Sequence, residues 1–297
     1  MSEAAGAATD SFLAHRNLLF TVAYEMLGSA ADAEDVLQET WLRWSEVDLA
    51  EVLDERAYLV RITSRQALNR LRTMKRRKES YVGPWLPEPL LTAPDVAEDV
   101  ELAESLSTAL MLVLETLAPT ERAVFVLREV FDVSYDEIAA SVDKTPAAVR
   151  QIAHRARQHV DARRSRSVVT ASQTRAALAS FQRALETGNP QTLLDILAPD
   201  VVLMADGGGI KQAAVRPILG ADKVARYIIG GLGKVREDIT TVLTEVNGGP
   251  ALAWYLDGEF DGMMTLHLEA DRVTGLYFVR NPEKLTHVDA EQVLTLR

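Results

Sequence analysis

Residues 83–90 read Gly-Pro-Trp-Leu-Pro-Glu-Pro-Leu, and no continuous helix can pass through them. Proline fixes φ, lacks an amide hydrogen and disfavours helical backbone in the residue before it. The segments on either side repeat apolar residues at helical spacing, so the chain must be built from separate helical pieces joined at this point. A free connector would be polar, yet this one carries Trp85, Leu86 and Leu90. Prolines stiffen a segment and lower the entropy lost when it binds, and large apolar side chains then act as anchors. Residues 83–90 therefore read as a docking peptide. The alternative is a linker packed only on the helices that precede it.

At 297 residues the chain has room for two or three domains, and its 47% hydrophobic content suits buried cores. Absence of cysteine excludes disulfides, zinc–thiolate sites and thiol nucleophiles. Neither a signal-like start nor a membrane-spanning apolar run is present, so a cytoplasmic chain with no membrane partner is expected. The net charge of −11 hides strong segregation. Arg61 to Lys78 contains eight bases and no acid, Glu79 to Glu104 seven acids and no base, and Arg150 to Arg166 six arginines against one aspartate. Two basic patches flank an acidic bridge.

Helical periodicity covers residues 11–28, 30–46 and 54–77, and again from Leu106 to about Arg164. Ser134 with Glu137 fits a capping box, and Thr145 before Pro146 fits an N-cap with proline in the first turn. Beyond about Ser167 the pattern changes. A helix from Ala171 to Thr187 is followed by the apolar runs VVLMA, ALAWYL, MMTLHL and GLYFV between glycine-rich turns, which predicts a curved antiparallel sheet.

Residues 133–160 place a short helix, a four-residue turn and a longer basic helix in succession. Val149, Ile152, Ala153, Ala156 and Val160 fall on one face of the second helix, leaving Arg150, Gln151, His154, Arg155 and Arg157 to point outward. This is a helix-turn-helix pattern, whose second helix offers arginine and glutamine to base edges in a major groove. Upstream, Asp32, Glu34, Asp35 and Glu39 lie beside an apolar stripe, and an acidic helix repels phosphate and so should face a protein. The next helix interleaves bases with Asn69 and suits melted or single-stranded DNA.

Taken in order, DAEDVLQETWLRW, RAYLVRITSRQALNRLR and LAPTERAVFVLREVFDVSYDEIAASV…TPAAVRQIAHRARQHV resemble an extracytoplasmic-function (ECF) sigma factor over residues 11 to about 164. The resemblance implies a dissociable subunit of bacterial RNA polymerase. Asp35, Gln38, Glu39, Trp41 and Leu42 would bind the coiled-coil of the largest subunit. Arg61, Arg65, Asn69, Arg70 and Arg72 would lie at the −10 element, and Arg150, Gln151, His154, Arg155 and Arg157 at the −35 element. Where many members have Asn-Leu-Ala-Ile-Asp, this chain has Arg65-Gln66-Ala67-Leu68-Asn69.

The remaining residues resemble a SnoaL-like, NTF2-type α+β cone. One ECF subgroup carries such an extension with three short motifs, which stand here as WLPEPL (85–90), DGGG (206–209) and NPEKL (281–285), with Ile210 before Lys211 where a base usually comes first. The implied organisation is two all-α domains, sigma-2 (1–78) and a helix-turn-helix sigma-4 (106–166), an acidic linker (79–105), and the cone (167–297). Trp85, Leu86, Pro87 and Leu90 would dock near Asp206, Gly207, Gly208 and Gly209 and near Asn281, Pro282, Lys284 and Leu285. Two other functions stay open. One is a helix-turn-helix regulator whose cone senses a small molecule through Trp254, Tyr255, Met263 and Tyr277. The other is weak catalysis by Asp206, Asp257 or His267, but such lone residues are commoner as satisfied polar groups. No enzyme activity, metal or cofactor is expected.

Overall fold

A computed structural model describes residues 2–92, 100–163, 169–235, 238–288 and 291–296. The chain forms two compact units: Met1–Glu79 with Leu110–Arg164 and Val293–Arg297, and Ser80–Ala109 with Ser165–Gln292. The acidic segment expected as a connector thus groups with the α+β unit. The boundary expected near Ser167 lies outside the described residues.

In the helical unit, α1 (Ser2–Leu27), α2 (Ala30–Trp44) and α3 (Glu55–Glu79) pack on one another. Ser29 caps α2 by accepting from the Asp32 amide. The stripe Val36, Leu37, Thr40 and Trp44 is buried, and the Trp44 indole N–H donates to the Ala8 carbonyl at 2.9 Å. Two short helices follow in the chain, α4 (Val100–Leu106), which groups with the α+β unit, and α5 (Thr108–Leu114), from whose Leu110 the helical unit resumes. Next come α6 (Pro119–Phe125), a wide π turn (Val126–Val130), α7 (Tyr135–Val142) and α8 (Pro146–Asp161). The Ser134–Glu137 box and the Thr145 cap are both formed. Three residues separate α7 from α8 rather than four, because Asp143 adopts φ 53° and turns the chain at once.

A part-buried ion triad joins the end of α3 to the segment after α5 and to α6. Lys78 donates to Glu115 at 2.5 Å, Arg122 binds the same carboxylate, and the Arg122 guanidinium also donates to the Glu25 carbonyl at 3.1 Å. Burial alone would raise the Glu115 carboxyl, but Arg122 and Lys78 together hold it down to about 2.

The second unit opens its α+β part with α9 (Ala171–Thr187) and α10 (Pro190–Ile196), parted by Gly188 at φ 60° and the Asn189 cap. The sheet contains β1 (Leu197–Asp206), β2 (Ile218–Leu219), β3 (Ile239–Val246), β4 (Gly249–Leu256), β5 (Glu259–Glu269) and β6 (Arg272–Val279), in the order β2-β1-β6-β5-β4-β3. Helix α11 (Ala221–Leu232) connects β2 to β3. The expected all-antiparallel sheet is corrected at one pair. β1 runs parallel to β6, which the long connection through α11 permits.

Leu178, Phe181, Leu193, Leu203, Val224, Leu252, Trp254, Met264 and Leu276 pack together as the core of the cone. The four residues expected around one sensing pocket do not share a face. Leu252, Met264 and Phe278 lie opposite one another on the core side, so their neighbours Met263 and Tyr277 point to the other side. Tyr255 packs on the Phe260 ring, and Trp254 alone of the four belongs to the core cluster.

Replacing Glu115 with Gln leaves two cations without their carboxylate, and for this part-buried triad the roughly 3–5 kcal/mol lost on breaking a fully buried pair is an upper bound. Urea unfolding at pH 7 should show that loss. A lowered carboxyl pKa stabilises fully above about 4.5 and progressively less as pH falls toward about 2. Parent and variant should therefore converge in acid unfolding near the lower value.

Candidate functional site

The centre of the α+β unit's polar interior is an ion pair, Lys284 with Asp206, whose side chains are 4% and 0% exposed. Lys284 Nζ donates to Asp206 Oδ2 at 2.8 Å and to the Leu86 carbonyl at 2.6 Å. The Leu86 amide donates to the same Oδ2 at 2.9 Å. The Tyr81 hydroxyl and the Gly208 amide donate to Oδ1, and Asn281 Nδ2 donates back to the Tyr81 oxygen at 2.8 Å. Burial, then the bond to Asp206, drives the Tyr81 hydroxyl pKa upward. The Lys284 ammonium lies 3.4 Å from the Trp85 ring centroid, and the Trp85 and Tyr81 rings meet edge to face. Leu86 and Leu90 are fully buried, as are Pro87, Glu88 and Pro89. All three motifs meet at this point.

The glycines are a steric requirement. A Cβ on Gly208, which has φ 63°, would stand 2.4 Å from the Asn281 side chain, and one on Gly207 would stand 2.1 Å from the Lys211 carbonyl. Asn281 is itself an N-cap, its side chain accepting from the Glu283 amide and so setting the turn Pro282–Lys284. Lys211, displaced one place from its usual motif position, reaches Asp261 at 2.7 Å, where Arg280 also binds. These two cations hold the Asp261 carboxyl low against the opposing effect of burial.

Past Leu90 the segment joins the free edge of β3. Leu90 exchanges hydrogen bonds with Asn247, the Thr92 amide donates to the Glu245 carbonyl, and Leu91 pairs antiparallel with Val246. Tyr81, Asn247 and Asp261 were not singled out in the sequence. The Asn247-Gly248 hairpin signal was legible, but not the strand that pairs beside it. Asp257 sits at an exposed turn, and His267 lies two strands over from Asp206 and four residues, roughly 13 Å, further along the strand direction. The three acid–base candidates do not converge.

In the helical unit, Phe12, Leu37, Gln38, Trp41 and Leu42 line a groove of about 420 Å³, and Leu42 is 63% exposed at its rim. Asp35 and Glu39 stand exposed on the same helix. Arg70 binds Asp32 at 2.7 Å and also Asp35, while Arg65 binds both oxygens of Asp143, in the helix-turn-helix turn, at 3.0 Å. Arg61 stacks on Tyr58, and Arg72 donates to Asn69. On α8, Arg150, Gln151, His154, Arg155 and Arg157 are all exposed. Arg157 pairs with Glu129, and Arg150 leans over the Tyr135 ring.

Residues 12–77 match Sigma-70 region 2 and residues 107–160 match Sigma-70, region 4. Together with the full-length relatives below, these matches place the chain in the ECF RNA polymerase sigma factors, which direct transcription initiation. It is 35% identical to the ECF RNA polymerase sigma factor SigJ of Mycobacterium tuberculosis, over 93% of this chain and 92% of that one. The probable ECF RNA polymerase sigma factor SigI of the same organism is 31% identical, over 94% of each chain. The crystal structure of M. tuberculosis SigJ superposes with a TM-score of 0.76 at 32% identity, covering 95% of this chain and 99% of that one. The C-terminal part of the chain is an α+β fold, helices packed on one six-stranded sheet. Among the described residues no helix is long and apolar enough to cross a membrane.

Asp206→Ala would leave the Lys284 ammonium buried without its carboxylate, at about 3–5 kcal/mol. Gly208→Ala would push Asn281 off its cap without changing any charge. In both variants hydrogen exchange at the Leu86 and Leu90 amides should quicken, while α2 and α3 keep their protection.

Proposed function

We propose that the cone regulates the sigma domains in cis by holding their linker, which polymerase binding must release. The observation that carries this is the buried contact of residues 81–92 with the Asp206–Lys284 pair and the β3 edge. Length makes the contact consequential. The −10 and −35 elements lie roughly 25 base pairs apart, about 80 Å of duplex at 3.4 Å per pair. Residues 80–109, freed, could span roughly 100 Å. With residues 81–92 held, only the 17 residues from 93 to 109 are left to extend, at most roughly 60 Å.

A second contact supports the same conclusion. α3, with the arginines assigned to the −10 element, packs on α7 of the helix-turn-helix, and Arg65 is bound to Asp143. In that arrangement α3 and the 16-residue α8 cannot occupy both elements. The groove beside Gln38, Trp41 and Leu42 is an open apolar surface rimmed by acids and suits the largest-subunit coil as partner. A small-molecule ligand in the cone draws no support from a particular contact, since Trp254, Tyr255, Met263 and Tyr277 do not line one cavity.

Trp85→Ala in the full chain should free the linker and raise run-off output several-fold when core polymerase is limiting. Unchanged output despite faster exchange at Leu86 would remove the regulatory role. Arg150→Ala and Arg155→Ala should each lose about 1–3 kcal/mol of −35 discrimination where the side chain reads a base. Competition between promoter and scrambled −35 sequences measures it.

A further inference from the structure

Helices α2 and α3 share one guanidinium. Arg70 of α3 donates through Nε to Asp32 Oδ1 at 2.7 Å and through Nη2 to Asp35 Oδ2. The two acids stand one turn apart on α2, so both reach the same side chain. Their surroundings differ. Asp32 is 3% exposed and its amide is bound to the Ser29 cap at 3.1 Å, whereas Asp35 is 53% exposed. Asp35 also stands one and two turns before Gln38 and Leu42, which line the groove on α2. Its carboxylate therefore lies between the groove proposed for polymerase and the helix proposed for DNA.

A guanidinium grips a phosphate best through two nitrogens of one edge. On Arg70 the two acids occupy the Nε–Nη2 edge, and Asp35 also blocks the Nη1–Nη2 edge by holding Nη2. With Asp35 drawn away, the terminal edge opens, while Asp32 still holds Nε and so fixes the direction of the fork. The exposed pair is the one that yields, since water and salt weaken it. The buried pair stays.

We propose that Asp32 is a positioning residue for Arg70 and Asp35 its removable mask, so that seating α2 on polymerase hands Arg70 to a phosphate at the −10 element. This coupling rests on the roles proposed above for α2 and α3. Every contact involved lies within the bundle of α1, α2 and α3.

The test uses the full chain without polymerase and a fluorescent oligo(dT) strand, with anisotropy read over a range of salt. Glu39→Ala is the control. It removes an equal charge from α2, and among the described residues Glu39 makes no ion pair. Asp35→Ala should bind about two- to five-fold more tightly than Glu39→Ala, the worth of one exposed pair. Its salt slope should steepen by about 0.7, as for one more phosphate on a single strand. Adding Arg70→Ala should abolish both gains. Adding Asp32→Ala should do the same, whereas Asp32→Asn, which can still accept from Nε, should keep them. Equal binding by Asp35→Ala and Glu39→Ala would overturn the mask. Equal effects of the two Asp32 variants, or faster hydrogen exchange along α3 in Asp32→Ala, would overturn the positioning role. Arg70→Ala alone, assembled with core polymerase, should flatten the salt dependence of open-complex formation by about 1. If it does not, the assignment of Arg70 to the −10 element has failed. If it does while Asp35→Ala leaves the free chain unchanged, only the mask has failed.

Discussion

One buried charge pair sets the path of a linker. Removing a carboxylate and an ammonium from water costs several kcal/mol for each ion, and the cost is recovered only where the remaining donors and acceptors are satisfied. For Asp206 and Lys284 the satisfying groups come largely from the linker: the Tyr81 hydroxyl, the Leu86 amide and the Leu86 carbonyl, with the faces of Trp85 and Tyr81 around the ammonium. Without the linker the pair would stand half-coordinated. The contact therefore selects one backbone path and one register more than it adds net stability, and the prolines keep the segment extended enough to follow that path.

The helical unit uses charge at two strengths. Arg65 and Asp143 are half-exposed or more, and pairs of that kind contribute about 0–1 kcal/mol. Glu115, held between Lys78 and Arg122, is largely shielded from solvent and keeps its charge far into acid. Both link α3 and the helix-turn-helix region, so the cost of parting them falls mainly on the triad. Salt alone, which screens exposed pairs first, would loosen Arg65 and leave Glu115 in place. A binding partner has to supply the rest.

Several of the arginines proposed for DNA contact, Arg65, Arg70 and Arg157 among them, are thus engaged with carboxylates at rest. Arg70 sits between Asp32 and Asp35 on the helix assigned to polymerase, and Arg157 sits on Glu129. Each acid stands where a phosphate would otherwise compete, so the negative charge of the chain is placed on its own basic surfaces instead of spread evenly. The overall charge of −11 and the basic patches are compatible for this reason.

Local order was legible from residues alone. Ser134 with Glu137, Thr145 before Pro146 and Gly188-Asn189-Pro190 mark helix ends through bonds made within a few residues, and each mark coincides with an observed cap. The apolar runs of the cone became β1, β4, β5 and β6, because alternation along a strand is also local. That WLPEPL was too apolar to be free could be read in the same way. Its partners could not. Tyr81 meets Asp206 across 125 positions, Lys284 meets Leu86 across 198 and Thr295 meets Thr21 across 274, and no periodicity carries information over such distances. The parallel pairing of β1 with β6 and the opposite faces of Trp254 and Met263 have the same origin, since each depends on register between strands. Composition and spacing determined which segments fold and where they stop. The closure of the chain into a buried charge pair decided which of them meet.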